Sequence, residues 1–455
     1  MVFSSIEFLF LFLPAVLFGY YILPHKIKNA FLLLANLLFY AYGEPVYVIL
    51  MIGSILLNFT AGKVIEKVKH QKLWLAFFMT VNLSSLAFFK YTPFVFDTLR
   101  QISGLSFLPD PKIMLPIGIS FYTFQASSYV VDVYRKGCKA ANNLIDFATY
   151  ISLFPQLIAG PIVRYVDVEK QLVQRTHSFE KFNSGIKMFV IGLAKKVLIA
   201  NKLGVLWEIT SSNPGEIGTI GLWLGAISYT LQIYFDFSGY SDMAVGLGKM
   251  LGFDFCINFN YPYIAKSITD FWRRWHISLS SWFRDYVYIP LGGNRVNKSR
   301  FCFNLLVVWA LTGLWHGAGW NFIAWGIYYG ILLLAEKLFL GKFLKKIPTV
   351  FQHIYTLLIV MVGWIFFASE SFAHSANYIK LMFTPKSTPM YIYSWLVTIL
   401  IGMFAALPVA KNVYVRIKNR KYVFLLETVG CFLLLVFCTA ALVNDSYNPF
   451  LYFRF

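Results

Sequence analysis

Long apolar runs separated by short polar and basic stretches make up most of the chain. Taken in order, the runs cover about 6–23, 29–42, 46–62, 73–89, 113–134, 182–200, 217–235, 302–316, 318–336, 350–368, 391–409 and 422–443. Because a helix needs about 20 mostly apolar residues to cross roughly 30 Å of hydrocarbon, this pattern predicts an all-α polytopic membrane protein with about eleven transmembrane helices. The shorter runs are predicted to be tilted, re-entrant or interfacial. No long linker or repeat divides the chain, so we expect one integral domain over residues 1–455.

Composition narrows the class of protein further. Apolar residues make up 58% of the 455 residues and charged residues only 13%, whereas a soluble globular protein carries about a quarter charged residues. A soluble body of this composition would leave extensive apolar surface in water, and a disordered chain needs low hydrophobicity. An ordinary cytosolic enzyme and a disordered chain are therefore both excluded.

The basic residues predict an orientation in the membrane. The first of them, Lys26, follows the first apolar run, which favours a retained helix with the N-terminus outside. With that placement, 33 of the 40 Lys and Arg residues fall in stretches on the cytoplasmic side and six fall outside, Lys249 being unplaced. The net charge of +19 then reflects topology and contact with anionic membrane lipids. No basic stretch accompanies a soluble fold that reads bases, so nucleic acid is not an expected partner.

Polar residues concentrate between 228 and 321, and the first group lies in 234–253. Asp236 ends an apolar run, and the residues from Ser238 to Asp242 interrupt it. We interpret the interruption as a helix break, either capped by Ser241 or Asp242 or lining a cavity. Three glycines after it are predicted to allow close helix approach, namely Gly246, Gly248 and Gly252.

The second group, 268–295, interleaves Trp with Arg. This alternation is typical of an amphipathic helix at the level of the lipid headgroups. It explains the tryptophans and arginines well but not His276, since Lys or Arg would serve better at a lipid surface.

The third group, 311–326, contains His316 between Trp315 and Gly317. A histidine on an apolar helix is often a satisfied structural residue. Here Gly313, Gly317 and Gly319 reduce the bulk nearby, and Asn321 lies about one turn later, where it could orient a substrate or the ring. A histidine in a dry pocket suits a general base, because its unperturbed pKa is near 6.5.

Motifs of other chemistries are missing from the sequence. The serines lack a GxSxG elbow, and neither a GxxxxGK[ST] phosphate loop nor HExxH occurs. The five cysteines have no CxxC spacing, so no metal site is predicted. Two histidines 40 residues apart, His276 and His316, are therefore the strongest chemical signal in the chain.

Three segments resemble the membrane-bound O-acyltransferase (MBOAT) family. They are YFDFSGYSDMAVGLGKMLGF, NFNYPYIAKSITDFWRRWHISLSSWFRDYVYIPLGGN and LTGLWHGAGWNFIAWG. FPQLIAGPIVRY at 154–165 and NPFLYFRF at 448–455 are similar to the bacterial subgroup of alginate O-acetyltransferases, the AlgI type. The D-alanyl transfer proteins of teichoic acid synthesis share the FW-x-RWH core but typically lack the IPLGGN continuation, which favours the polysaccharide branch.

The resemblance implies a fold, a reaction and site residues. The implied MBOAT fold surrounds a central tunnel in which donor and acceptor meet from opposite sides of a bacterial inner membrane. His316 matches the essential histidine and is assigned as the base, and His276 is assigned a stabilising or orienting role. Acetyl-CoA or another acyl thioester is the expected donor substrate, with no permanently bound cofactor. Three arginines, Arg273, Arg274 and Arg284, are expected to contact the phosphates of CoA, and Asn321 is a further candidate for binding the donor.

The implied acceptor is an exopolysaccharide such as alginate, reached directly or through an extracytoplasmic SGNH-type acetyltransferase partner. Alternatives stay open at this point. They are D-alanyl transfer to teichoic acid, a transporter or flippase of a lipid-linked sugar without acyl transfer, and an assembly scaffold. The transporter predicts that His316 is dispensable for acyl transfer, and the scaffold predicts that both histidines are.

Overall fold

The described residues of the computed structural model are helical and contain no strand. They comprise residues 1–103, 109–158, 160–444 and 450–451. The predicted all-α fold class is confirmed over this part of the chain. Of the terminal segment 448–455, only Phe450 and Leu451 lie within the described residues.

The chain divides into two compact units, and the first comprises Met1–Phe189 with Met243–Cys256. Its α-helices are Leu13–Ile22, Lys28–Gly43, Val48–Lys67, Gln71–Ser103, Ile119–Tyr134, Leu144–Ser152, Phe154–Leu157, Tyr165–Val173 and the greater part of Phe179–Ala194. A reciprocal pair of amide hydrogen bonds between Asn58 and Asn82, at 2.9 and 2.8 Å, joins two of these helices. Pairing satisfies both amides in apolar surroundings, where an unpaired polar group would be costly.

The second unit comprises Val190–Asp242 with Ile257–Phe455 and contains both histidines singled out by the sequence. Besides most of Thr219–Met250, its described α-helices are Asn201–Ser212, Pro214–Ile217, Ile268–Arg274, Ile277–Phe283, Lys298–His316, Trp320–Ala335, Gly341–Leu344, Thr349–Ala368, Phe372–Met382, Leu396–Ala405, Val409–Ile417 and Lys421–Asn444. Short π-helical turns at Lys195–Ala200, Arg284–Tyr288 and Glu336–Leu340 continue three of its helices.

Five helices of the described chain are long and apolar enough to cross a membrane. They are Val48–Lys67, Gln71–Ile102, Trp320–Leu344, Thr349–Ala368 and Tyr422–Asn444; Met390–Ala405 with Val409–Ile417, bent by 53°, adds a sixth if the pair is one span. The predicted count of about eleven is not confirmed. Predicted runs such as 29–42 and 113–134 correspond to helices of only 16 residues. At 1.5 Å per residue such a helix is about 24 Å long, less than the hydrocarbon thickness.

The predicted helix break in 234–253 is wrong, because Thr219–Met250 is one continuous helix. The small residues in its middle permit close packing instead of ending it. A Cβ atom at Gly239 would lie 2.7 Å from the carbonyl oxygen of Gly192. The predicted close approach at Gly246 is confirmed, since a Cβ there would lie 2.6 Å from the carbonyl oxygen of Gly185.

Candidate active site

His276 forms a sharp corner between two helices of seven residues each, Ile268–Arg274 and Ile277–Phe283. Its backbone adopts a left-handed conformation with φ of +44°. Such a conformation costs a non-glycine residue about 1–3 kcal/mol and is characteristic of functional sites. The single amphipathic helix predicted for this segment is therefore wrong.

The tryptophans of this segment face protein instead of a lipid surface. Trp272, Trp275 and Trp282 are all buried. The ring centroids of Trp275 and Trp364 are 4.8 Å apart, and those of Trp272 and Tyr329 are 4.9 Å apart. The tryptophans of the Trp–Arg alternation thus form an aromatic core that supports the corner at His276.

A buried carboxylate fixes the start of the helix that leads to this corner. Glu336 accepts hydrogen bonds from the backbone N–H groups of Ile268 and Thr269, at 2.7 and 2.8 Å, and from the Thr269 hydroxyl at 2.6 Å. Ser267 caps the same helix by accepting from the N–H of Asp270 at 3.0 Å. A negative charge at a helix N-terminus is favourable, so these contacts hold the approach to His276 rigidly.

The His276 ring is buried, and only one of its two nitrogens has a hydrogen-bond partner among the described residues. Its Nδ1 lies 3.1 Å from Oδ1 of Asn258, and only 1% of the residue is exposed. Nε2 has no hydrogen-bond partner among the described residues. Burial lowers the pKa of His276, which lies outside the candidate membrane spans, to about 3, so the ring is neutral at physiological pH.

His316 is the last residue of helix Lys298–His316, and its ring lies among aromatic side chains. Ring centroids are 5.1 Å from Trp325 and 5.4 Å from Phe367, both in edge-on geometry. The residue is 4% exposed. These contacts leave the imidazole few orientations, as a reacting group requires.

The glycines around His316 do not leave room for another molecule, which corrects the sequence interpretation. A Cβ atom at Gly313 would lie 2.2 Å from the carbonyl oxygen of Phe322, and one at Gly317 would lie 2.1 Å from the Phe322 ring. These positions bring helices Lys298–His316 and Trp320–Ala335 into close contact. The space for a substrate lies elsewhere.

That space is a cavity of about 270 Å³ that His276 and His316 both line. The structure thus brings together the two histidines that are 40 residues apart in the sequence. Most of the other lining side chains are apolar or aromatic, and the full lining comprises Thr269, Trp272, Arg273, His276, Leu279, Ser280, Phe283, Arg284, Tyr288, Leu305, Val308, Trp309, Thr312, His316, Leu333 and Lys337. Two imidazoles on one cavity are suited to proton transfer.

Three exposed cations line the same cavity. Arg273 and Arg284 were predicted as donor-binding residues, and Lys337 joins them. Arg284 also forms an ion pair with Asp285 at 2.7 Å. Exposed cations that share a cavity with buried histidines have the charge that an anionic substrate requires.

The other two predicted donor-binding residues are not part of the cavity lining. Arg274 pairs with Asp270 at 2.9 Å. Asn321 donates a hydrogen bond to the carbonyl oxygen of Ser369 at 3.1 Å and so joins the start of one helix to the end of another. Neither Lys337 nor Asn258 was predicted from the sequence, since neither stands out until the fold places Lys337 on the cavity and Asn258 beside His276.

Comparison with known proteins identifies the family of the chain. Residues 139–372 match the MBOAT, membrane-bound O-acyltransferase family. The probable alginate O-acetylase AlgI of Pseudomonas aeruginosa is 44% identical over 84% of this chain and 75% of its own length. The Pseudomonas putida protein of the same name is 40% identical over the full length of both chains. The peptidoglycan O-acetyltransferase of Helicobacter pylori is 35% identical over 84% of this chain and 80% of its own. The chain belongs to the membrane-bound O-acyltransferase family and is an O-acyltransferase.

Proposed function

We propose that this protein transfers an acetyl group from acetyl-CoA, or another acyl thioester made in the cytoplasm, for O-acetylation of an exported polysaccharide. The observation that carries the proposal is that two buried histidines, His276 and His316, line one cavity together with exposed cations. The relatives act, by their names, on alginate and peptidoglycan, which supports a polysaccharide acceptor of the alginate type. The acyl group reaches the polymer directly or through an SGNH-type acetyltransferase on the outer side.

The reaction is the attack of an acceptor hydroxyl on the thioester carbonyl. The new bond joins the hydroxyl oxygen to the acetyl carbon, and the bond to sulfur breaks. The hydroxyl proton passes to His316 and from there to the thiolate of CoA, which leaves as the free thiol. Because the negative charge on the carbonyl oxygen and the orientation of the hydroxyl both need control, His276 has a stabilising or orienting role.

The proposed setting is the bacterial cytoplasmic membrane with the N-terminus outside. The segregation of 33 basic residues to one side against six on the other supports this orientation. With that orientation, the segment 266–300 is cytoplasmic, so Arg273 and Arg284 lie on the side where acetyl-CoA is available.

The cations of the cavity give a prediction about donor binding. We expect Arg273→Ala and Lys337→Ala each to raise the KM for acetyl-CoA about 3- to 10-fold with little change in kcat, because each removes one contact to phosphate at an exposed site. Steady-state kinetics of the purified protein in lipid nanodiscs measure both constants. Lys298→Ala removes an exposed cation that does not line the cavity and serves as the control. A KM equal to that of the wild type in both cavity variants would contradict the assignment.

The proposed function is tested by reconstitution. Purified protein in proteoliposomes is given acetyl-labelled acetyl-CoA on one side and a polysaccharide or soluble SGNH-type acceptor on the other. We expect label to pass to the acceptor and free CoA to appear in equal amount. Movement of lipid-linked sugar without label transfer would favour the transporter. Transfer from a D-alanyl thioester, but not from acetyl-CoA, would favour the teichoic acid reaction. If no sugar moved and no acyl group were transferred, the scaffold would be favoured.

A further inference from the structure

Asn258 holds the corner at His276 through four hydrogen bonds. Its backbone carbonyl accepts from the N–H of Ile277 at 3.0 Å. Its side-chain Oδ1 is 3.2 Å from the N–H of Ser278, 2.9 Å from the Ser278 hydroxyl and 3.1 Å from His276 Nδ1. Asn258 is 2% exposed, so these contacts are made away from bulk solvent.

The contacts determine which atom of the Asn258 amide faces the corner. A backbone N–H can only donate, so the amide atom opposite the N–H of Ser278 must be the oxygen. A rotated amide would place its NH2 group against that donor. The same oxygen faces His276 Nδ1, which must therefore carry the ring proton in the neutral imidazole.

We propose that Asn258 is a positioning residue that keeps the proton of His276 on Nδ1 and presents Nε2 to the cavity as a hydrogen-bond acceptor. The inference rests on the proposed function, because it assigns His276 one of the two roles left open there. A neutral ring with its only N–H committed to Asn258 has no hydrogen to offer a developing oxyanion. His276 instead accepts a hydrogen bond from the acceptor hydroxyl and orients it for attack, while His316 takes the proton.

The surroundings of the ring keep it in this state. Phe237 packs edge-on at 4.7 Å from one helix, and Trp315 lies at 5.8 Å on another, so both of these helices present aromatic rings to the imidazole. Burial accordingly lowers the pKa of His276 far below neutrality. The charged and titratable side chains that line the same cavity are Arg273, Arg284, Tyr288, His316 and Lys337, of which none provides a carboxylate to stabilise a protonated ring.

The test replaces the Asn258 amide by a carboxylate of the same shape. Asn258→Asp keeps the acceptor for three donors but adds a negative charge beside Nδ1, so the pKa of His276 rises. We expect near-normal transfer at alkaline pH, a His276 titration displaced upward by about one to three pH units, and a pH–kcat profile that loses activity where the ring is protonated. Asn258→Ala removes the acceptor, and we expect kcat to fall on the order of 10- to 100-fold. Asn260→Asp, the same change at an exposed site two residues away, should leave the profile unchanged.

A second readout is independent of activity. In 15N-histidine-labelled protein, the His276 signals, identified by their loss in His276→Gln, should show the proton on Nδ1 in the wild type and a protonated ring at higher pH in Asn258→Asp. A wild type that does not transfer acetyl groups would refute the proposed function. A wild type that transfers, together with a proton on Nε2 or an unshifted His276 titration in Asn258→Asp, would refute the role of Asn258 alone.

Discussion

Replacing His316 by alanine is expected to lower the rate of acetyl transfer at least about 100-fold, the range typical for loss of a general base. The ring lines the cavity that His276 shares and is held edge-on against Trp325 and Phe367, so its loss removes the proposed base from that cavity. His316→Gln, which keeps polarity and similar volume but cannot take a proton, should be as impaired as the alanine variant. The measurement is single-turnover transfer of labelled acetyl groups by purified protein.

Two comparisons separate chemistry from folding in that experiment. His70→Ala removes an exposed histidine of the first unit and should transfer acetyl groups like the wild type. Equal elution profiles and melting temperatures in detergent would show that the His316 variants are folded. If a folded His316→Ala protein kept the wild-type rate, His316 would not be the base. The transporter and the scaffold, which both predict that His316 is dispensable, would then be favoured.

The sequence was sufficient to single out His276 and His316 as candidates, which the structure places on one cavity, because a histidine among aromatic residues and glycines is unusual in an apolar chain. It was not sufficient to explain why their neighbours are small or aromatic. Gly313 and Gly317 are small because Phe322 packs against them. The chain reverses direction between these glycines and Phe322, and the residue pattern does not specify that reversal. The burial of Trp272 and Trp275 was likewise not predictable, since it depends on Tyr329 and Trp364, which lie far along the chain and pack against them.

Asn258 shows a different limit. It lies 18 residues before His276, and its role depends on a left-handed backbone at His276 that turns Nδ1 towards the amide oxygen. No hydrophobic periodicity or motif in the sequence predicts a contact that depends on such a backbone conformation. Ser238 to Asp242 mark the converse case, in which a local pattern suggested a break but close packing at Gly239 keeps the helix continuous.

A buried ion pair in the second unit was equally invisible in the sequence. Lys196 Nζ lies 2.5 Å from Asp236 Oδ1, with side chains 4% and 1% exposed. The other Asp236 oxygen accepts a hydrogen bond from the N–H of Leu451 at 2.8 Å. Asp236 therefore links a π-helical turn, the helix that carries Phe237 and the last described residues. Because Phe237 packs against the His276 ring, this link also supports the candidate active site.

Asp236→Ala is expected to lower the free energy of unfolding by about 3–5 kcal/mol, because it leaves the Lys196 ammonium buried without its carboxylate. The expected signs are a lower melting temperature in detergent and a reduced yield of monodisperse protein. Lys196→Met combined with Asp236→Leu should recover much of the loss, since removing both charges also removes the cost of burying them. Asp254→Ala breaks the Lys181–Asp254 pair, in which the carboxylate side chain is 67% exposed, and should cost less than about 1 kcal/mol. A double variant no more stable than Asp236→Ala would mean that the hydrogen bond to Leu451, and not the ion pair, is what this region of the fold requires.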